Sequence, residues 1–306
     1  MIKVKNLIVH YDEFCAVNDI SFHVKPGSLF ALLGTNGAGK STTIHVLCQL
    51  KEKTSGKIEY LGSELLLDDK RYKNSLAVVF QNSVLDKFLT VRENLLVRGS
   101  MYNISKEKLK ENIELFATKL QMNDILDKRF GQLSGGQKRK ADIAKALITE
   151  PRFLILDEPT TGLDPQTRNL VWEVLLYAKK ERGLTILLTT HYMEETNHAD
   201  YVVIMHNSKI LAEGSPNELK DKHAYDILKL YYLPHHKQTL KDWFEERNIV
   251  YIEENNQLEL HMKFHSDIYT WLTQIQDYIK DFELIKGDMD TVFLHVTGED
   301  KTEDNI

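Results

Sequence analysis

Long apolar runs are the first thing this 306-residue sequence lacks. A helix that crosses a membrane needs roughly 18 or more consecutive apolar residues. The longest candidates, LTILLTT at 184–190 and YVVIM at 201–205, have the length of buried strands. The opening MIKVKNLIVHYDEF holds two lysines but only a short apolar run, which argues against a secretory signal. Cysteine is scarce: Cys15 and Cys48 show no pairing pattern, which excludes a disulfide scaffold and fits reduced thiols in the cytoplasm. Repeats and long low-complexity segments are also missing. Positive charge is short in one region only. From Asp221 onward there are nine Lys and Arg against 18 Asp and Glu, whereas the preceding residues carry 30 against 27. An acidic C-terminal third argues against a nucleic-acid partner, because phosphate binding needs positive charge.

What is present is an ordinary globular composition, 42% hydrophobic and 27% charged, on a length that suggests two domains. The segment SLFALLGTNGAGKSTTIHVL, residues 28–47, reads as a buried strand (LFALL), a glycine-rich turn and a helix (KSTTIHVLCQL). Gly34 to Ser41 match G-x-x-x-x-G-K-[ST] in full. Gly34, Gly37 and Gly39 let backbone amides turn inward around phosphate oxygens, with Thr35, Asn36 and Ala38 between them. Lys40 is expected to reach the β- and γ-phosphates of ATP and Ser41 to place its hydroxyl on Mg²⁺, with Thr42 next in the helix.

RFLILDEPTTGLD supplies the complementary half: an apolar strand ending on two carboxylates. Asp157 is assigned to the Mg²⁺ shell and Glu158 to polarising the attacking water as general base. Gln81, after the strand LAVVF, can ligate Mg²⁺ or position water. His191, after LTILLTT, can donate to the γ-phosphate. Both fall at strand ends, where ligands sit in open α/β sheets. Tyr11, at the end of KNLIVHY, either stacks on adenine or packs on the core. A second anion nest, LSGGQKRK at 133–140, places Ser134, Gly135 and Gly136 at a predicted helix start. One ATP site has no need of two phosphate cradles.

Taken in order, GTNGAGKST, Gln81, LSGGQ, LILDEP, GLD and TTHYMEE resemble the ATP-binding cassette of ABC transporters, over roughly residues 1–220. FQNSVLDKFLTVRENL and ADYVVIMHNSKILAEGSPNELK are similar to ATPase subunits of drug-export (daunorubicin-resistance-like) systems, in which the membrane-spanning part is usually a separate chain. The resemblance implies an α/β P-loop NTPase fold, with an antiparallel β part and a helical subdomain at about 91–143. It also implies an answer to the two cradles. Cassettes associate head to tail, so Ser134, Gly135, Gly136 and Gln137 would act in trans on the ATP of a second copy, with Asp164 at the seam. The stretch Gln81–Glu93 would dock a transmembrane permease, holding the chain on the cytoplasmic face of the membrane; Phe88 and Leu89 are either contacts for it or buried locally. Two departures stand out: Thr35 replaces a common Pro, and Asn207–Lys209 replace a glycine-containing hairpin turn.

Within the helical stretch, Leu109, Ile113, Leu115, Phe116 and Leu120 fall near helical spacing behind Ser105 as N-cap, with Lys108 at N3 and so no capping box. Beyond residue 221 the texture changes. AYDILKLYY, KQTLKDWFEER, NIVYIEE, QLELHMKF, SDIYTWLTQIQDYIKD and FELIK read β-α-β-β-α-β, a small ferredoxin-like domain at 221–298, followed by a short helix in DMDTVFLHVTG. A hairpin is expected at Asn255-Asn256. Ser266 is expected to cap a helix whose face carries Ile268, Trp271, Leu272, Ile275 and Ile279. Tyr231, Tyr232, Tyr251 and Trp271 read as core rings rather than a base-stacking platform. His235, His236, His261 and His265 lack zinc-finger spacing. The domain is expected to support the dimer or regulate it, and residues 299–306 to form a disordered tail.

The expected function is an ATP-hydrolysing subunit of an exporter. The alternative is a soluble cassette ATPase uncoupled from transport. Ribosome-associated members usually carry two cassettes in one chain, and DNA-repair members insert a coiled coil; neither feature is present.

Overall fold

The computed structural model describes residues 1–102, 104–254, 257–262 and 268–298. It divides into two compact units, Met1–Glu213 and Gly214 onward. The first contains strands β1 (Ile2–Tyr11), β2 (Phe14–Val24), β3 (Leu29–Gly34), helix α1 (Lys40–Leu47), β4 (Ser55–Tyr60), β5 (Ser63–Glu64), α2 (Lys70–Ser75) and β6 (Leu76–Val79). Helices α3 (Val91–Gly99), α4 (Lys106–Lys119) and α5 (Gly135–Leu147) follow, then β7 (Phe153–Asp157), α6 (Pro165–Arg182), β8 (Thr185–Thr190), β9 (Tyr201–His206) and β10 (Lys209–Gly214).

Two sheets share the first unit: a six-stranded one in the order β10-β9-β3-β8-β7-β6 and a four-stranded one in the order β2-β1-β4-β5. In the first, β9, β3, β8, β7 and β6 pair in parallel. LFALLG, FLILD and TILLTT are buried at every residue, as strands covered on both faces must be. In the second, β1 and β2 pair antiparallel and their buried residues alternate more nearly with exposed ones. Ile2, Val4, Leu7, Val9, Phe30, Leu32, Ile155 and Leu187 meet in one core between the two sheets.

The helix ends are written locally. Thr90 and Glu93 form a capping box at α3. Ser105 accepts from Lys108 N at α4. Asp164 caps α6 with Pro165 in its first turn and Gly183 closing it at φ +62°. Leu109, Ile113, Phe116 and Leu120 are buried and Leu115 is half-buried. Helix α1 is shorter than expected: it stops at Leu47, and Gln49 turns at φ +57°. Asn207 and Ser208, both at positive φ, make the turn from β9 to β10 without glycine.

The second unit begins with α7 (Pro216–His223), so the division falls at Gly214, where the sequence suggested about 221. Then come β11 (Asp226–Tyr232), α8 (Lys237–Glu245), β12 (Ile252–Glu254), β13 (Gln257–Met262), α9 (Ile268–Ile275), β14 (Ile279–Ile285) and α10 (Met289–Thr297). The sheet order β12-β13-β11-β14, antiparallel throughout, is the ferredoxin-like arrangement. Leu228, Leu230, Leu240, Phe244, Leu258 and Ile275 form its core, with Trp243, Tyr251 and Trp271 packed against it. One expectation fails: Ile279 is not on the α9 face. The helix ends at Ile275, and Ile279 opens β14 opposite Tyr232. Asn255, Asn256, His265, Ser266 and residues 299–306 lie outside the described residues. Among those described, no helix is long and apolar enough to cross a membrane.

Candidate active site

Because β3, β8, β7 and β6 run parallel and adjacent, their carboxyl ends share one edge of the sheet. Those ends deliver, in turn, Gly34, His191, Asp157 with Glu158, and Gln81. Residues 157 positions apart in sequence become neighbours for no other reason than strand order.

The loop Gly34–Lys40 is shaped by close backbone approach. A Cβ on Gly34 would stand 2.3 Å from the Met205 carbonyl oxygen, and one on Gly39, at φ +100°, 2.4 Å from that of Ala16. Only glycine fits either place. Gly39 also starts α1 with no side-chain cap, so the first-turn amides and the helix dipole are left for an anion. Thr35 and Asn36 are exposed and Ala38 buried. The Lys40 ammonium donates to the carbonyl oxygens of Gly34, at 2.7 Å, and Thr35, at 2.9 Å. Thr35 therefore serves through its main chain, which is why the missing Pro costs nothing visible. Burial lowers the Lys40 pKa, partly offset by Glu158 and Asp157.

Ser41 and Asp157 meet as expected: the hydroxyl lies 3.3 Å from Asp157 Oδ1, which also accepts from the Thr189 hydroxyl at 2.6 Å. A serine hydroxyl beside a carboxylate offers only hard oxygen donors. Mg²⁺ takes one or two such protein ligands and completes its shell with water and phosphate, so the pair fits that ion. Glu158 sits at φ +46°, with its N–H directed to the carbonyl and hydroxyl oxygens of Thr189. Glu158 Oε1 is 3.2 Å from His191 Nδ1, an ion-pair distance without hydrogen-bond geometry. The Thr161 hydroxyl donates to its other oxygen.

The second nest differs from the first. Ser134 caps α5 in a capping box: its hydroxyl accepts from Gln137 N at 3.3 Å, and its own N–H donates to Gln137 Oε1 at 3.1 Å. A hydroxyl that accepts in this way still has its hydrogen to donate. Ser134 and Gly135 are exposed, while Gly136 lies near Thr167 and Asp164 at the start of α6. Gln81 and Tyr11 are exposed, and the Lys51 ammonium sits 4.3 Å above the Tyr11 ring, so Tyr11 is not a core residue.

Three residues of this region went unread in the sequence. Thr189 orients Asp157. Glu195, 2% exposed in the turn after His191, accepts from the Thr160 hydroxyl, and its Oε2 is buried with no hydrogen bond. Arg139, on α5, is buried against the loop that bears Glu158. For Arg139 there was one signal: a basic residue five positions past Ser134, on the turn of helix that follows the nest.

Comparison with known proteins agrees with this geometry. The family described as ABC transporter matches residues 17–161. The Nod factor export ATP-binding protein I of Rhizobium sp. (strain N33) is 44% identical over 214 residues, 70% of this chain and 70% of its own. Its counterpart in Burkholderia pseudomallei (strain 1710b) is 38% identical over 223 residues, 72% and 73% of the two chains. Among solved structures, an ATP-binding subunit of an ABC transporter aligns at a TM-score of 0.67 and 30% identity, over 72% of this chain and 92% of that one.

Proposed function

The chain belongs to the ATP-binding subunits of ABC transporters, and from that premise we propose how its site powers an exporter. ATP is hydrolysed at the carboxyl edge of the parallel sheet. Lys40 and the amides of Gly37 to Thr42 hold the phosphates. Ser41, Asp157 and Gln81 hold Mg²⁺, which when bound neutralises charge on the phosphate oxygens. Glu158 takes a proton from the attacking water, and His191 donates to the γ-phosphate oxygens as charge builds there. The pairing that carries this reading is local: Ser41 with Asp157, and Glu158 with His191, on three adjacent strand ends.

The second nest is assigned to a different nucleotide. Ser134 and Gly135 face solvent at an α5 N-terminus, where a second copy, related by a twofold axis, would present its own loop and ATP. Hydrolysis then requires dimer closure, because each site borrows donors from the other chain. The motion passes to a separate membrane-spanning partner through Gln81–Glu93, where Val84 and Phe88 are exposed by 47% and 70%. Export, rather than uptake, is supported by the export role in the names of the relatives. The acidic second unit is assigned to supporting or regulating the dimer.

The test is the mass in solution of Glu158→Gln, by light scattering, with and without ATP. Removal of the base is expected to cut hydrolysis by about 10²–10⁴-fold and to trap the closed pair. A monomer-to-dimer shift with ATP, abolished by Ser134→Arg, supports the shared site. A monomer with ATP bound overturns the homodimer.

A further inference from the structure

Arg139 is 8% exposed and reaches four main-chain carbonyls. Its Nε donates to Pro159 O at 2.5 Å, Nη2 to Asp157 O at 3.0 Å and Glu158 O at 2.6 Å, and Nη1 to Phe80 O at 2.6 Å. Three acceptors belong to consecutive residues of the catalytic turn; the fourth precedes Gln81. All are backbone atoms, so what the guanidinium fixes is the path of the chain. A planar fork with five donors suits this, whereas a lysine ammonium does not.

The turn needs fixing. Glu158 carries a side chain at φ +46°, a conformation that persists only where its surroundings over-determine it. Thr189 holds its N–H side and Arg139 its carbonyl side. Two other residues on the same face of α5 bond elsewhere: Asp142 accepts from the Ser83 hydroxyl at 2.7 Å, and Lys145 donates to Val78 O at 3.1 Å. They tie α5 to β6 and the chain after Gln81 without touching the Glu158 turn.

We propose that Arg139 is a positioning residue for ATP hydrolysis: it locks the left-handed turn that aims Glu158 and joins that turn, through Phe80, to the Gln81 segment. The proposal rests on Glu158 being the general base. A buried arginine whose role ended at packing would serve as well with any donor array; one that acts through Glu158 makes the rate depend on its geometry.

The experiment is a double-mutant cycle on the full chain, reading kcat and KM for ATP. Arg139→Met is expected to lower kcat by at least about tenfold with KM within about threefold. In a Glu158→Gln background it is expected to lower residual turnover by less than about twofold, since both changes disable the same step. Equal factors multiplied onto Glu158→Gln, an unchanged kcat, or a loss expressed in KM overturns the proposal. If Glu158→Gln alone leaves kcat within about twofold, the base assignment falls, and the proposal with it, whatever Arg139→Met does. Arg139→Lys keeps the charge and loses the fork. It is expected to fold, judged by ATP-dependent dimer formation of Arg139→Lys/Glu158→Gln, and still to lower kcat by severalfold; wild-type kcat in Arg139→Lys overturns the proposal too.

Discussion

The two units bury charge differently. In the cassette, Lys40, Arg139, Asp142, Asp157 and Glu195 are all buried, and each lies at the strand ends or on the helix packed against them. In the second unit, among the described residues, Asp226 is the one buried carboxylate; it accepts from Lys286 Nζ at 2.9 Å and from Gly287 N at 2.8 Å. Desolvating a charge costs free energy unless partners compensate. The cassette tolerates that cost at Lys40 and Asp157, where a nucleotide and its metal are to be met, and at Asp142, which ties α5 to Ser83. The second unit uses buried Asp226 to fasten a turn at the end of β14. Burial of charge therefore serves chemistry beside architecture in one unit and architecture in the other.

Exchanging the two roles gives the sharpest test. Lys40→Met is expected to cut ATP hydrolysis by at least about 100-fold, the scale for losing a donor that meets developing charge. Its melting temperature is expected to stay within about 2 °C of the parent or rise, because burial already disfavours the Lys40 charge. Steady-state turnover and a thermal melt on the same preparation check both halves. A large fall in stability would mean that Lys40 is architectural after all. Asp226→Ala is expected to do the reverse. It removes the acceptor of the part-buried Gly287 amide, lowering the stability of the second unit by about 1–2 kcal/mol, with hydrolysis within twofold. Denaturant unfolding followed through Trp243 and Trp271, both packed on that unit's core, reads the loss. An equal loss of ATPase activity would erase the distinction.

The same contrast explains what the sequence disclosed. Lys40 and Ser41 were legible as candidates because they stand in a contiguous motif whose spacing suits a phosphate group, and Asp157 and Glu158 because they close an apolar strand. The β-α-β-β-α-β order of the second unit was legible from periodicity and turn residues. Arg139 was not, since its acceptors are carbonyls of residues 80 and 157–159, which carry no side-chain signature and are gathered only by the sheet. Glu195 reads as one of two acids on an exposed turn until the fold closes Thr160 over it. Ile279 misled for a simpler reason. Four residues past Ile275, it satisfies the helical period, and it is out of phase with Phe282 and Leu284 of the strand; a register shift between Tyr231 and Tyr232 lets it pair with Tyr232 all the same.

Glu195 tests whether the cassette's buried charges all carry a stability cost. Burial pushes its pKa up to about 7 from the ordinary 4.5; the Thr190 hydroxyl, Arg168 and His191 pull it back, and Glu194 adds to the rise. The folded chain therefore holds a proton here that the unfolded chain has released between those two values. Stability from this group is complete below about pH 4.5 and declines as pH rises to about 7. The decline is at most about 3.5 kcal/mol. Glu195→Gln keeps the shape and an acceptor for Thr160 but cannot ionise. It is expected to melt above the parent at pH 8, by at most about 7–14 °C, with the difference shrinking severalfold by pH 5. Parallel melts at the two pH values decide it. A glutamine variant that melts below the parent at both would mean that the carboxylate is stabilised as an anion, and that Glu195 belongs with Asp226 rather than with Lys40.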